Sequence, residues 1–485
     1  MEFTRRFFLG TGLAFAGRLA AFGEEAPRPN LKVGVISDVH LHPKPSWNVT
    51  TPEMFAKVLK WYRDQDVDAV MCSGDMTETG LASQLMLFAQ TWYSVFPDDK
   101  GRDGRKVERI FVYGNHDVAD WTMSRYKDDA ERKREMICFD RAGHWERAFH
   151  EPFAHAFAKT VKGYTFIGAH WPIKEGMKGY HFIGPGWPTM TAGAELLASE
   201  APKLDPNKPF FYVQHAHPAD TCYGSWAWGH DDGLSTRTLA RFPNAIAVSG
   251  HSHYTLTDER SVWQGAFTSI GASSVAYSSL DYNFRDNANA NNYGSRGSRA
   301  PSMARIPTGD GNQGMLFSVY DDHLRIERCE FNWGESLGDD WILPLGRNAA
   351  KPFTFADRAP ARRAPEFPAD AKVEVRLETV KRKDKSAQVA RVSFPYAATV
   401  SGCRVFEYEV RAILCEDDVD GLTFGTRRAL APDFYLPPTR TGKGGEIYFP
   451  LEDFPKGARF RFEVRPLECF GRKGRPILSD LWARQ

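Results

Sequence analysis

Six short apolar runs recur between Leu31 and His251, and each stops abruptly at a polar residue or a glycine: LKVGVIS, DAVMCSG, ERIFVYG, YTFIGAH, PFFYVQH and AIAVSGH. Runs of this length, rich in Val, Ile and Phe and without polar alternation, read as strands buried on both faces. Between them lie stretches of helical period. TPEMFAKVLKWYRDQ sets Phe55, Val58, Leu59 and Tyr62 on one face, with Thr50 or Thr51 placed to cap it. Buried strands alternating with helices predict an α/β (α+β layered) domain, and in such folds ligands collect at the carboxyl ends of the strands. The abrupt stops are therefore the places to look for chemistry.

At 485 residues the chain exceeds what one core organises, since single cores stop growing at about 250–300 residues. From Val262 to Phe331 strand-like runs continue without helices, interrupted by the Asn/Gly/Ser-rich DYNFRDNANANNYGSRGSRAPS, which reads as a lid or a solvated loop. A Pro/Ala-rich stretch at 344–371 reads as a linker. Beyond it KVEVRLETV, QVARVSFPY, CRVFEYEVRAIL, GEIYFP and RFRFEVRPLE are short alternating strands, so a small all-β sandwich is expected over 372–485, after a main domain at 31–343.

Lys+Arg of 62 against Asp+Glu of 61 leaves a net charge of +1. With no basic tract, nucleic acid is not expected as a partner. After the N-terminus no apolar run approaches the roughly 20 residues that span a bilayer. Seven scattered cysteines indicate neither a zinc ribbon nor a dense disulfide scaffold, though an oxidising compartment permits a Cys403–Cys415 bridge. The segment at 1–26 is different in kind: TRRFFLG sets Arg5 and Arg6 before an apolar, small-residue-rich stretch, and Thr4 to Leu9 resembles a bacterial twin-arginine export signal. It predicts a periplasmic, extracellular or cell-surface protein.

The residues just after the strands are, in order, SDVHLH (Asp38, His40), SGDMTETG (Asp75, Glu78), YGNHD (Asn115, His116, Asp117), QHAHP (His215, His217) and SGHSHY (His251, His253). Each segment brings a carboxylate, an amide oxygen or an imidazole to one edge of the sheet. Singly they are weak signals; together, in order and each at a strand terminus, they specify a metal centre.

The series Asp-x-His, Gly-Asp, Gly-Asn-His-Asp, a later His and Gly-His-x-His resembles the calcineurin-like metallophosphoesterase superfamily over about Leu31 to Phe331. That resemblance implies a four-layer sandwich of two mixed sheets flanked by helices, holding two metal ions about 3.5 Å apart. Asp38, His40, Asp75 and His253 would hold one ion; Asp75, Asn115, His215 and His251 would hold the other. The ions would neutralise a phosphoester and make hydroxide available near neutral pH. Mixed nitrogen and oxygen ligands suit Mn, Fe, Zn or Co. His116 would act on the leaving oxygen, with Glu78 fixing its tautomer and Asp117 as the other candidate for that role. His215 rather than His217 is expected as the ligand; His217 and His42 are extra imidazoles near the site.

Glu78-Thr79-Gly80 stands where phosphoprotein phosphatases of this superfamily carry Asp-Arg-Gly, and Glu78 occupies the tyrosine-ligand position of purple acid phosphatases. A small-molecule phosphomonoester or phosphodiester remains as the expected substrate. DTCYGSWAWGHDDG contributes Tyr223, Trp226, Trp228, His230 and Asp231 as candidate pocket residues beside His217, with loop packing as the competing role. A different class of function, a cell-surface carbohydrate- or ligand-binding protein built around the C-terminal sandwich, is the alternative.

Overall fold

The computed structural model describes residues 27–46, 48–173, 187–225, 227–279, 311–346, 348–361, 363–382, 385–398, 404–416, 419–436 and 441–484. The export-signal segment at 1–26, Trp226, Cys403 and the Asn/Gly/Ser-rich stretch lie outside the described residues.

All six apolar runs form strands: β1 (Leu31–Ile36), β2 (Ala69–Cys72), β3 (Glu108–Phe111), β5 (Tyr164–Ala169), β6 (Phe210–Val213) and β7 (Ala245–Ser249). The polar β4 (Ala156–Val161), which has no apolar signature, pairs antiparallel with β5. Further along come β8 (Val262–Gln264), β9 (Thr268–Gly271), β10 (Gln313–Val319), β11 (His323–Glu330), β12 (Glu335–Ser336) and β13 (Trp341–Pro344). One sheet runs β12-β11-β10-β1-β2-β3 with β13 on β11; the second runs β4-β5-β6-β7-β9-β8. Within them β1-β2-β3 and β5-β6-β7-β9 are parallel, so these strand ends share one edge of each sheet.

Alternation along each strand sorts side chains into layers. Val33, Val35, Met71 and Ile110 of the first sheet meet Phe166, Phe211, Val213 and Val248 of the second. On the outer face Val70, Cys72 and Phe111 lie under helices α1 (Pro52–Asp64) and α2 (Ala82–Val95), through Phe55, Leu59 and Phe88. Helices α3 (Asp129–Glu135) and α4 (Arg141–Phe149) follow β3. On the far side Phe210, Tyr212 and Ala247 pack with Leu197 of α5 (Thr191–Glu200) and Leu239 of α6 (Leu234–Leu239). The result is helix, sheet, sheet, helix, each buried large apolar side chain contributing about 1.5–3 kcal/mol. α1 begins as the sequence implies: Thr51 accepts from the Met54 amide, and Phe55, Val58, Leu59 and Tyr62 are buried.

The C-terminal part is all β. β14 (Glu374–Arg382), β15 (Lys385–Pro395) and β18 (Gly444–Pro450) form one sheet. β16 (Val405–Glu416), β17 (Val419–Leu430), β19 (Arg459–Glu468), β20 (Ile477–Leu478) and β21 (Trp482–Ala483) form the other. Val392, Phe394, Ile447, Val410, Phe462 and Val464 share the core between them. β17 was not legible: Gly421, Gly425 and two arginines break its apolar alternation, and its pairing with β16 shifts register around Ile413.

The 344–371 stretch is anchored rather than extended throughout. It carries α7 (Phe355–Ala361), whose Arg358 donates to the Glu259 carboxylate at 2.6 Å and to its backbone carbonyl at 2.6 Å. Arg328 at 2.9 Å and Trp341 Nε1 at 3.1 Å also donate to the Glu259 carboxylate. Thr257 Oγ1 donates to the Phe434 carbonyl at 2.5 Å, and Arg260 lies over the Phe406 ring at 4.9 Å. The C-terminal sandwich is thus docked on the segment that follows His253.

Candidate metal centre

The ends of β1, β2, β3, β6 and β7 carry the candidate ligands, and their backbone departs from extended geometry where they begin. Asp38, His40, Asp75, His251 and His253 have φ of 50°, 45°, 51°, 70° and 57°. A non-glycine residue held in this region costs about 1–3 kcal/mol, and such strain gathers at functional sites. Strand alternation would keep His251 and His253, two residues apart, on one face; the left-handed residues part them between the Asp75–His215 and Asp38–His40 groups. Gly250, just before them, is not among the positive-φ residues. Its role is close approach: a Cβ there would collide with Ser37 Oγ and Asp38 Oδ2. His251 and His253 turn the chain, and Gly250 makes room for Asp38.

Three imidazoles use Nδ1 outward. His40 Nδ1 donates to Glu78 Oε2 at 2.7 Å, His215 Nδ1 to the Ser73 carbonyl at 2.8 Å and His253 Nδ1 to the Tyr277 carbonyl at 3.2 Å. Each bond leaves Nε2 to face inward. His40 Nε2 and His253 Nε2 stand 3.2 Å apart. Asp38 Oδ1 is 2.9 Å from His253 Nε2, and Asp75 Oδ2 is 3.0 Å from His215 Nε2 and 3.7 Å from His40 Nε2. Asp38 Oδ1, Asp75 Oδ2, His215 Nε2 and both amide atoms of Asn115 are buried without a hydrogen bond. Buried lone pairs converging in this way are costly unless a cation sits among them.

Among the described residues the donor atoms form three groups, Asp38 with His40 and His253, Asp75 with His215 and His251, and His40 with Glu78 and His116, each spanning no more than 4.8 Å; the first two hold the expected ligands. Imidazole and carboxylate at this spacing, with a buried Asn beside them, fit transition-metal ions. The field of the pocket agrees. Burial opposes charge on His40, yet the Asp38 carboxylate 3.7 Å away, the hydrogen bond to Glu78 and the nearby Asp75 carry it up to about 10. His215 is buried too, and Asp75 and Asp38 raise it to about 9. Against burial, His253 and His215 hold Asp38 well below the usual carboxylate range, and His215 with His116 does the same to Asp75. Burial keeps His251 neutral, the form that binds a metal.

His116 lies beside this cluster. Its amide donates to Asp75 Oδ1 at 2.8 Å, its Nδ1 donates to the Glu78 carbonyl at 2.8 Å, and its ring meets His40 edge-on at 4.4 Å. Burial lowers it to about 4. The expectation that the Glu78 carboxylate orients His116 needs correction. That carboxylate is 2.7 Å from His40 Nδ1 but 3.7 Å from His116 Nδ1, and Asn48 Nδ2 donates to its other oxygen at 2.9 Å. Glu78 orients His40 with its side chain and His116 with its backbone. Asp117 accepts from the Gly114, Met76 and Thr77 amides and the Thr77 hydroxyl, and so ties the loops together.

Several expected pocket residues are structural instead. His217 is clamped between Ser249 Oγ at 2.7 Å and Ser252 Oγ at 2.8 Å, and burial lowers it to about 3. Asp231 accepts from the Ala219 and Gly233 amides and from Gln214 Nε2. Tyr223 is buried against His217 and Tyr254. All three are buried. Trp228 stacks on His251 at 4.6 Å, and His230 bonds the Asp231 carbonyl at 2.6 Å under Trp187. His42 accepts from the Lys44 amide at 3.0 Å, outside these donor groups. Sequence reading missed Trp121, Trp171, Trp187 and Tyr277, which contact histidines of this region. Nothing in one sequence separates such aromatics from packing residues.

Layered mixed sheets with this cluster at their carboxyl edge define a metallophosphoesterase fold. Residues 31–255 match the family model described as calcineurin-like phosphoesterase. The chain is similar to a dimetal phosphatase from Danio rerio at 10% identity and a TM-score of 0.34, over 66% of this chain and 100% of that one. It is similar to a purple acid phosphatase from yellow lupin (Lupinus luteus) seeds at 14% identity and a TM-score of 0.37, over 65% of this chain and 55% of that one. No curated protein matches the chain.

Proposed function

We propose that this protein hydrolyses small-molecule phosphoesters at a two-metal centre, Asp38, His40, Asp75 and His253 holding one ion and Asp75, Asn115, His215 and His251 the other. The observation that carries this reading is the meeting of buried, hydrogen-bond-free donor atoms: His215 Nε2 lies 3.8 Å from Asp38 Oδ1 and 3.0 Å from Asp75 Oδ2, and Asn115, next to His116, is buried with both amide atoms unbonded. Bound Mn, Fe, Zn or Co ions would neutralise the phosphoester and make hydroxide available near neutral pH. The chain's own residues do the rest. Glu78, steadied by Asn48, fixes the His40 ring. Trp228 and Trp171 flank the His251 ring and limit water around it. His116, neutral when the pocket is free, gains proton affinity beside an anionic substrate and passes the proton to the leaving oxygen.

The catalytic unit is proposed to span 31–343 and the sandwich 372–485, with the sandwich supporting the segment after His253. Thr4 to Leu9 supports export by the twin-arginine route, checked by whether Arg5→Lys with Arg6→Lys keeps the protein in the cytoplasm of a bacterial host. The hydrolase reading is tested with metal-reconstituted protein on p-nitrophenyl phosphate and bis-p-nitrophenyl phosphate. Turnover that falls at least about a thousandfold in Asp75→Asn is expected. Turnover unchanged by that substitution, or absent in the parent, would sink it.

A further inference from the structure

Among the described tryptophans only Trp121 and Trp187 are exposed, at 42% and 46%. Both stand against histidines of the metal region. Trp121 meets His116 nearly perpendicularly with ring centres 4.4 Å apart, and His116 meets His40 at the same distance. Trp187 covers His230 at 4.2 Å, the planes 35° apart. His230 belongs to a segment whose Trp228 stacks on His251, and whose Gly229 carbonyl accepts from the His217 amide at 2.8 Å, two residues beyond His215. One exposed indole therefore adjoins the Asp38–His40–His253 group through His116. The other adjoins the Asp75–His215–His251 group through the 228–230 segment.

A single exposed apolar side chain is ordinary on a protein surface. Two exposed indoles, one against His116 and the other against His230, on separate segments that reach the donor groups, suit a ligand with two flat arms. A phosphomonoester has one organic arm and engages one indole. A phosphodiester has two.

We infer that Trp121 and Trp187 are substrate-contact residues that stack on planar rings carried by the ester arms of a phosphodiester, a nucleoside diester being the substrate class. The inference rests on the hydrolase reading above and goes beyond it by choosing diester over monoester. In the reaction the bond from phosphorus to the leaving arm's oxygen breaks and a bond to a water oxygen forms. One proton of that water ends on the leaving oxygen and the other is released.

The test holds the leaving group constant. Metal-loaded full-length protein is assayed on thymidine 5′-(p-nitrophenyl phosphate), methyl p-nitrophenyl phosphate and p-nitrophenyl phosphate. The expected result is a preference of about tenfold or more in kcat/KM for the thymidine diester over the methyl diester, carried by KM. Trp121→Ala or Trp187→Ala should cut that ratio below about threefold, with Phe at either position restoring most of it. Calorimetry gives a second readout, with thymidine 5′-monophosphate expected to bind about tenfold tighter than inorganic phosphate in the parent protein and not in the alanine variants. Equal turnover of the two diesters, or a preference that survives both alanine substitutions, would overturn the inference and leave the hydrolase reading standing. Turnover of none of the three esters would defeat both.

Discussion

The two halves of the molecule place their strain differently. In the N-terminal part the strands that end at the metal-centre candidates are short, and the chain leaves several of them through left-handed residues; in the C-terminal sandwich β16 and β17 run 12 residues each, and β19 alternates buried and half-buried positions along its first eight residues. Among the described residues every non-glycine with positive φ lies at or before Ser273, so the sandwich contains none. Buried donor atoms without hydrogen bonds converge in the first half on Asp38, Asp75, Asn115 and His215; those in the second half, such as Arg391 Nε and Arg465 Nε, are scattered. A structure concentrates strain and unmet polarity where a ligand repays them, and the described residues of the sandwich have no comparable point.

The sharpest way to break this comparison is one substitution made in both halves. Gly250→Ala should abolish metal uptake and turnover, because its Cβ would strike Ser37 and Asp38, whereas Gly425→Ala in β17 has nothing within 4 Å and should change stability by no more than about 1 kcal/mol. Metal analysis beside thermal melting reads both. Equal effects would mean that the contrast between the halves is not functional.

Next in size are the paired histidines. His253→Ala should cost mainly the ion shared with Asp38 and His40, and His251→Ala the ion shared with Asn115 and His215. Each variant is expected to retain about one of two ions. Loss of the same ion in both would overturn the assignment.

The junction between the halves gives the third effect. Glu259→Gln leaves Arg328 and Arg358 buried without their carboxylate and should destabilise the protein by about 3–5 kcal/mol in urea unfolding. A loss under about 1 kcal/mol would show that the halves are joined only loosely.

The effect spread most thinly, over several pH units, is a pH slope. Burial pushes the Glu330 carboxyl up from 4.5 to about 8. The folded state then holds a proton that the unfolded chain releases above pH 4.5, so this contribution falls as pH rises from about 4.5 to about 8 and levels off beyond. Its slope is at most about 1.4 kcal/mol per pH unit. Glu330→Gln should flatten the profile between those limits; an unchanged profile would remove Glu330 as its source.

Much of the layered fold was legible because strands buried on both faces need unbroken apolar runs, and LKVGVIS, DAVMCSG and PFFYVQH have them. β4, with Lys159 and Thr160, and β17, with its glycines, lack that signature and emerge only from pairing with a neighbour. The donor residues were legible for the same reason as the strands: each follows a run that ends abruptly.

What the sequence determined by itself was the order of donors along the sheet edge, since a strand end fixes where along the chain a side chain can reach a shared edge. What only the tertiary structure decided was direction and company. The left-handed φ at His251 and His253, the turn of the Glu78 carboxylate to His40 rather than His116, and the burial of His217 between two serines each depend on contacts made by residues far apart in the chain. Local propensity carries no information about such contacts, because they exist only once both sheets and the loops between them have packed.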